Sequence, residues 1–450
     1  MTRLRVKPTH KPLAGSVPVP SDKSISHRAL IFGALSGGRS ELAGFSYGED
    51  NVATLAAFRK MGVGCEDDGN GRLCIEGVGL DGLAEPESEL DCGNSGTTIR
   101  LMAGVLAGQP FRSRLTGDAS LSRRPMGRVA KPLRARGAII SGAAHPRKSD
   151  DITPPLEIGP LAKGTRLAPL EYDLPIASAQ VKSALLLSGL FASGPTLLRE
   201  PMVSRDHTER MLEALGMPLE AVGSLVSLHP PKDPKSIPGF SIELPGDLSA
   251  AAFLLVAGTI VEGSQVTTRH TGLNPTRSGI IDLIRLLGGR IGITPHGAVL
   301  NEPFGEVGVS FAELTAGSIG GELALRAIDE IPVACALAAR ARGTTEFSDI
   351  AELRVKETDR VAALAELLRA FGVGVEERPD GLVVEGQPEG RLCAARVSSR
   401  GDHRIAMTAA VLALVAQGET EIDDVDCIKT SFPRFVGTLR ALGAELEVLG

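Results

Sequence analysis

One pattern recurs six times along this chain, and that repetition limits its possible folds more than any single motif does. Short apolar segments centred on a glycine appear as KMGVGCE, ARGAIIS, ALGMPLE, LLGGRIG, AFGVGVE and ALGAELE. Their glycines are Gly62, Gly137, Gly216, Gly288, Gly372 and Gly443, separated by 75, 79, 72, 84 and 71 residues. Each follows an amphipathic stretch, such as KETDRVAALAELLRAFG, with apolar residues at spacings of three and four. Glycine directly after such a stretch reads as a helix C-cap, because it enters the left-handed region without a steric penalty. The β-branched residues that follow read as a strand.

A second landmark keeps the same period. Polar openings lead into apolar, Ala-rich helices at Ser24, Gly96, Ser178, Asp247, Asp329 and Asp402. Those helices close on SGGRSEL, GQPFRSRL, SGPTLL, EGSQVTT, RGTTEF and QGETEI, each a turn followed by a strand. The chain is therefore an α/β protein built from a strand–helix–strand–helix–strand unit of about 75 residues. Pro20 and Pro245 both begin a Pro-x-Asp-x-Ser sequence before a helix, and we take them as two crossings between lobes. Residues 21–245 are expected to form one lobe, and residues 1–20 with 246–450 the other, with three units in each. A cleft between lobes is a favoured place for a ligand.

Composition removes several classes of function. The net charge of −6 lacks the basic balance of a nucleic-acid-binding chain. With no Trp, two Tyr and thirteen Phe, platforms for stacking bases are hard to build. Six cysteines are scattered without a CxxC pair, which fits buried free thiols in a reducing compartment. The eight histidines form no HxxxH, so no metal site is expected. The longest uncharged stretch, Ser183 to Leu198, is too short and too broken by Gly and Pro to span a bilayer. The opening MTRLRVKPTH has no apolar signal-peptide core, so a cytoplasmic protein is expected.

The charges gather where helices start. Lys23, Arg28, Arg100, Arg124, Lys182, Arg205, Lys356, Arg360 and Arg404 all lie beside these openings. A helix N-terminus presents unsatisfied N–H groups and about half a positive charge, so several of them with added cations would attract an anion. Asp329 in AIDEIPVACA and Glu357 in LRVKETDR stand among the cations and are candidates for moving protons. Ser24, Ser26 and His27 look like a nucleophile with its base, but neighbours within one helical turn point in different directions. GNSGTT and LGGRIG lack the spacing or the position of a nucleotide loop.

In chain order, PSDKSISHR, DCGNSGTTIR, GDASLSRRPMGR, ASAQVKSALLL, RDHTE, LPGDLSAAAF, NPTRSG, IDEIP, LRVKETDR and GDHRIAM resemble the 5-enolpyruvylshikimate-3-phosphate synthases, a family of enolpyruvyl transferases. The likeness covers nearly the whole chain. It implies a two-lobed inverse α/β barrel of six βαβαββ repeats, three per lobe. It implies shikimate 3-phosphate and phosphoenolpyruvate as substrates, no metal or organic cofactor, and a monomer with neither nucleic-acid nor membrane partners. Shikimate 3-phosphate would meet Lys23, Ser24, Arg28, Ser178, Ala179, Gln180, Arg205, Asp329 and Lys356. Phosphoenolpyruvate would meet Lys23, Asn94, Gly96, Arg124, Gln180, Arg360 and Arg404. Lys23, Asp329 and Glu357 match the catalytic groups.

Two departures and two rivals bear on the resemblance. Some family members carry Lys two residues before the C-terminal Phe-Pro, where this chain has Thr430, so Lys429 is not expected to reach a phosphate. Several segments resemble members that tolerate the herbicide glyphosate, whereas Gly96 is the small residue of sensitive ones; partial tolerance is expected. The related UDP-N-acetylglucosamine enolpyruvyl transferases carry a reactive Cys on a mobile loop, and TGDASLSRRPMGR has none. A non-catalytic anion-binding repeat protein would need no acids among its cations, and Asp329 and Glu357 are there.

Overall fold

All six repeat glycines lie at positive φ, between +77° and +106°. They end amphipathic helices and turn the chain into strands, as at Gly374–Arg378 after the Arg360–Ala370 helix. In the computed structural model, which describes residues 2–69, 71–146 and 150–449, the chain forms two compact units. One is Met1–Pro20, Pro245–Gly297 and Pro303–Gly450; the other is Ser21–Leu244 with the short segment Ala298–Glu302.

The stretch from 90 to 158 shows the plan of a repeat. Strand Leu90–Asp91 leads through helix Gly96–Leu106 to a parallel partner, Ser113–Thr116. A second helix, Gly127–Ala135, leads to the antiparallel pair Ile140–Ala144 and Ile152–Ile158. The last strand inserts between its two predecessors, pairing Leu115 with Leu156. Among the described residues the same βαβαββ plan gives six four-stranded sheets, three in each unit, beside one two-stranded pair.

Two sheets borrow a strand from far along the chain, at the points where it passes from one unit to the other. Ser241–Glu243 runs parallel to Arg39–Ala43 in register Ser241 to Glu41. Ala14–Pro18 runs parallel to Gln265–Gly272 in register Ala14 to Gln265. A third sheet closes with the N-terminal strand Arg3–Val6 between Thr420–Asp423 and Leu446–Leu449.

The two helices of a repeat play different parts. The outer ones are amphipathic. The inner ones in the first-described unit are Leu248–Ile260, Ile331–Arg340 and His403–Ala413, with nearly every residue buried. In the other unit they are Lys23–Leu35, Gly96–Leu106 and Ala179–Gly189. Ala, Gly and Ser let such helices approach closely while Leu and Ile fill the rest, which is why aromatic residues are so few. Each unit has its own apolar core around its three inner helices.

Three helix openings fall one or two residues from their expected places. Asp22 rather than Ser24 caps the first helix, accepting from Ile25 N at 2.9 Å. Ser95 caps the helix that starts at Gly96. Asp329 lies in a turn before Glu330, which precedes the helix Ile331–Arg340. The thiols are less buried than expected: Cys92 and Cys335 are buried, Cys65, Cys74 and Cys427 are half-buried, and Cys393 is exposed. Cys393 follows the buried Leu392 in an extended segment, so alternation turns it outward. No helix among the described residues is long and apolar enough to cross a membrane.

His27 is fully buried, with Nδ1 2.8 Å from Thr54 Oγ1. Its ring is committed to packing and is no base for Ser24 or Ser26. Burial is the main cause lowering its pKa to about 3, with Lys23 and Arg28 acting the same way and Asp50 opposing. Burial likewise lowers His403 to about 4. A base whose folded pKa lies below its unfolded value stabilises the fold above about pH 6.5. That contribution is lost as pH falls, by about 1.4 kcal/mol per pH unit for each histidine. The thermal midpoint should therefore fall between pH 6.5 and 5, and fall less steeply in His27→Gln. An identical pH dependence in that variant would refute the assignment.

Candidate active site

Because sheets and outer helices cover the sides of the inner helices, only the helix ends are open to chemistry. In the unit spanning Ser21–Leu244, hydrogen bonds join the three inner-helix N-termini. Lys23 Nζ lies 2.9 Å from Asp50 Oδ2, and Thr98 Oγ1 donates to the backbone carbonyl of Asp50 at 3.0 Å. Gln180 Nε2 donates to Thr97 Oγ1 at 2.9 Å and its Oε1 accepts from Arg100 Nη1 at 2.7 Å. Arg28 closes the set, donating to Ser183 Oγ at 2.6 Å, Thr208 Oγ1 at 2.7 Å and Ser24 O at 3.0 Å.

Arg124 reaches the start of the second helix. Its Nη2 donates to Asn94 Oδ1 at 2.5 Å, and Asn94 Nδ2 donates to Asp118 Oδ2 at 2.6 Å. Gly96 lies beneath both guanidinium groups: a Cβ there would sit 2.9 Å from Arg124 Nη1 and 2.7 Å from Arg100 Nη1. The absence of a side chain lets these cations settle over the helix N-terminus, whose N–H groups favour an anion. The hydroxyl of Ser178 makes no capping bond at the third helix, which begins at the half-buried Ala179. Arg205 is half-buried just before the helix His207–Ala214.

Carboxylates and guanidiniums interleave in the unit holding residues 245–297 and 303–450. Arg360 is buried, with Nε 2.7 Å from Asp402 Oδ2, Nη2 2.5 Å from Glu357 Oε2 and Nη1 3.7 Å from Asp329 Oδ1. Burial opposes the charge, but Asp402, Glu357 and Asp329 outweigh it and hold the pKa above its ordinary value. Arg404 Nη1 donates to the Asp329 backbone carbonyl at 2.5 Å, and its Nη2 lies 3.8 Å from Asp329 Oδ1. Asp329 thus presents one carboxylate to two arginines. Lys356 is half-buried beside it, its pKa lowered chiefly by burial against the opposing pull of Asp329 and Glu352.

Two lysines named from sequence are held by neighbouring acids. Lys182 points inward, 2.7 Å from Glu200 Oε2 and 2.6 Å from Glu209 Oε1, because its place on the helix faces the core rather than the open end. Lys429 pairs with Asp426 at 2.8 Å on an exposed turn. Asp402 was named from sequence only as a helix opening, and Asp50 and Asp118 were not singled out. Asp402 both caps a helix, accepting from Arg404 N at 2.9 Å, and holds Arg360. Its position at a helix opening was the one available signal; Asp50 and Asp118 carried none.

Glu330, next to Asp329, is fully buried and accepts from Ser249 Oγ, which also accepts from Arg277 Nη2 at 2.9 Å. It ties two inner helices together, leaving Asp329 as the more open acid. Cys92 is buried, and burial pushes its thiol pKa well up, unlike a reactive thiol. Among the described residues no group of three or more His, Cys, Asp or Glu side chains is placed to hold a metal ion.

Known proteins share this design over its whole length. The family model for EPSP synthase (3-phosphoshikimate 1-carboxyvinyltransferase) matches residues 7–439. A 3-phosphoshikimate 1-carboxyvinyltransferase from Geobacter sp. (strain M21) is 49% identical over 439 residues, covering 98% of this chain and 99% of the relative. One from Acidithiobacillus ferrooxidans (strain ATCC 53993 / BNL-5-31) is 49% identical over 448 residues, covering 100% and 99%. The solved EPSP synthase of Acinetobacter baumannii superposes with a TM-score of 0.88 at 39% identity, covering both chains fully. The enolpyruvyl transferase NikO from Streptomyces tendae has a TM-score of 0.76 at 17% identity over 100% of this chain and 99% of its own, a likeness of fold alone. The chain belongs to the EPSP synthase family.

Proposed function

We propose that the helix-end groups of both units act on one pair of substrates in the reaction of this family. That reaction transfers the 1-carboxyvinyl group of phosphoenolpyruvate to the 5-hydroxyl of shikimate 3-phosphate and releases phosphate. It is a step of the shikimate pathway to aromatic amino acids. The observation that carries the site assignment is the Asp329 carboxylate beside both Arg360 and Arg404. A protein that only held anions could set its arginines with a buried acid such as Asp402, and would not need Asp329 left partly open beside them.

In this reading Ser24, Arg28, Ser178, Ala179, Gln180, Arg205 and Lys356 hold shikimate 3-phosphate, with Lys23 and Asp329 at its reacting hydroxyl. Asn94, the Gly96 backbone, Arg124, Gln180, Arg360 and Arg404 hold phosphoenolpyruvate together with Lys23. Guanidinium groups suit this task because their paired N–H groups match the oxygens of phosphate and carboxylate. Asp329 takes the proton of the 5-hydroxyl as its oxygen adds to C2 and C3 gains a proton. Phosphate then leaves the tetrahedral adduct as C3 gives a proton back. Lys23 and Glu357 share delivery and removal at C3. In this reading both sets of groups come from one chain, so a monomer suffices, and we place it in the cytoplasm.

The direct test is phosphate release from phosphoenolpyruvate with shikimate 3-phosphate present or absent. Release should require both substrates, and release independent of shikimate 3-phosphate contradicts the reading. Lys23→Met should abolish turnover while the circular dichroism spectrum and thermal midpoint stay near wild type; near-normal activity contradicts Lys23's role. Arg124→Ala should raise the KM for phosphoenolpyruvate roughly a hundredfold, as loss of a charge-assisted contact costs about 2–3 kcal/mol. The KM for shikimate 3-phosphate should change less than about threefold, and equal losses would defeat the division of substrates. Gly96→Ala should push both guanidiniums away from the helix end. Its expected mark is a roughly tenfold rise in the phosphoenolpyruvate KM, about 1.4 kcal/mol, read by steady-state kinetics.

A further inference from the structure

We infer that Lys182, Glu200, Glu209 and Ser204 are positioning residues that set Arg205 for the ring phosphate, which rests on the assignment of Arg205 above. Arg205 follows the connection from strand Thr196–Arg199 and stands two residues before helix His207–Ala214. That connection exposes Pro201, Met202 and Val203, so its outer residues give it little packing. Its order comes from inside. Glu200 accepts from Ser204 N at 3.2 Å and from Ser204 Oγ, while Ser204 O accepts from Lys182 Nζ at 3.2 Å. Every polar group of the residue before Arg205 is thereby held.

The holding group is a buried triad. Lys182 and Glu200 have side chains 1% exposed, and Glu209 4%. Lys182 sits on the helix that begins with Ala179 and Gln180, whereas Glu209 sits on the helix after Arg205. One ammonium therefore links a helix opening, a loop and a second helix. Buried charges of this kind are seldom more stable than well-packed apolar residues of the same size. Their geometric effect is the better reason for their presence. On the far side of Arg205, His207 Nδ1 lies 2.7 Å from Glu302 Oε1, so the arginine is bracketed by two fixed neighbours.

A double-mutant cycle separates positioning from mere stability, because variants acting through one group are not additive. Calorimetric titration with shikimate 3-phosphate, with steady-state kinetics for the phosphoenolpyruvate KM, would compare Ser204→Ala, Glu200→Gln, Arg205→Ala and Ser204→Ala/Arg205→Ala in the full chain. Ser204→Ala leaves the triad's charges in place, which keeps the test open should Glu200→Gln fold poorly. The expected result is a five- to tenfold weaker affinity in Ser204→Ala, a KM for phosphoenolpyruvate within twofold of wild type, and no further loss when Ser204→Ala is added to Arg205→Ala. Lower thermal stability with unchanged affinity, or additive losses in the double variant, would overturn the inference. Unchanged affinity in Arg205→Ala itself would instead refute the assignment of Arg205.

Discussion

Burying a helix on every side leaves it only its ends with which to meet solvent. In each unit three inner helices are enclosed in this way, and their N-termini are joined by the hydrogen bonds of Gln180, Arg28 and Asp50 in one case and of Glu330 and Arg404 in the other. A helix N-terminus presents unsatisfied N–H groups and a partial positive charge. Packing that forms the core thus also creates places where an anion is welcome. The small side chains of the inner helices serve both ends, because they allow close approach and leave Gly96 without a Cβ under two arginines.

Cations alone would make such a site sticky rather than selective. In the unit with Arg360, Arg360 and Arg404 are both matched by acids, and Asp402 is committed to structure by its cap and its ion pair. Asp329 and Glu357 are more open, with side chains 19% and 27% exposed. In the proposed reaction, this difference separates acids that hold the site from acids open enough to exchange a proton with a substrate. Glu330 belongs with the first group although it is Asp329's immediate neighbour, since its side chain faces the packed interior.

Much of this fold is legible in the chain because its cues are local. The six glycines after amphipathic stretches all adopt the backbone they were expected to adopt, since only glycine occupies that region freely. Helix openings were placed within a residue or two, where several capping candidates stand side by side, as Ser21, Asp22 and Ser24 do. The partners of the charged groups were not legible. Asp50 meets Lys23 across 27 residues and Asp402 meets Arg360 across 42, pairings that depend on how separate helices pack. Lys182 illustrates the same limit: it stands two residues beyond Gln180, yet that step turns it from the helix end into the core.

Crystals of the enzyme grown with shikimate 3-phosphate would test the central claim most directly, because diffraction locates the ligand's phosphorus against the helix ends. The account predicts phosphate oxygens within hydrogen-bonding distance of Ser178 and Arg205, at the open N-terminus of the Ala179–Gly189 helix. A phosphate bound elsewhere, with that helix end and Arg205 facing only water, would contradict it.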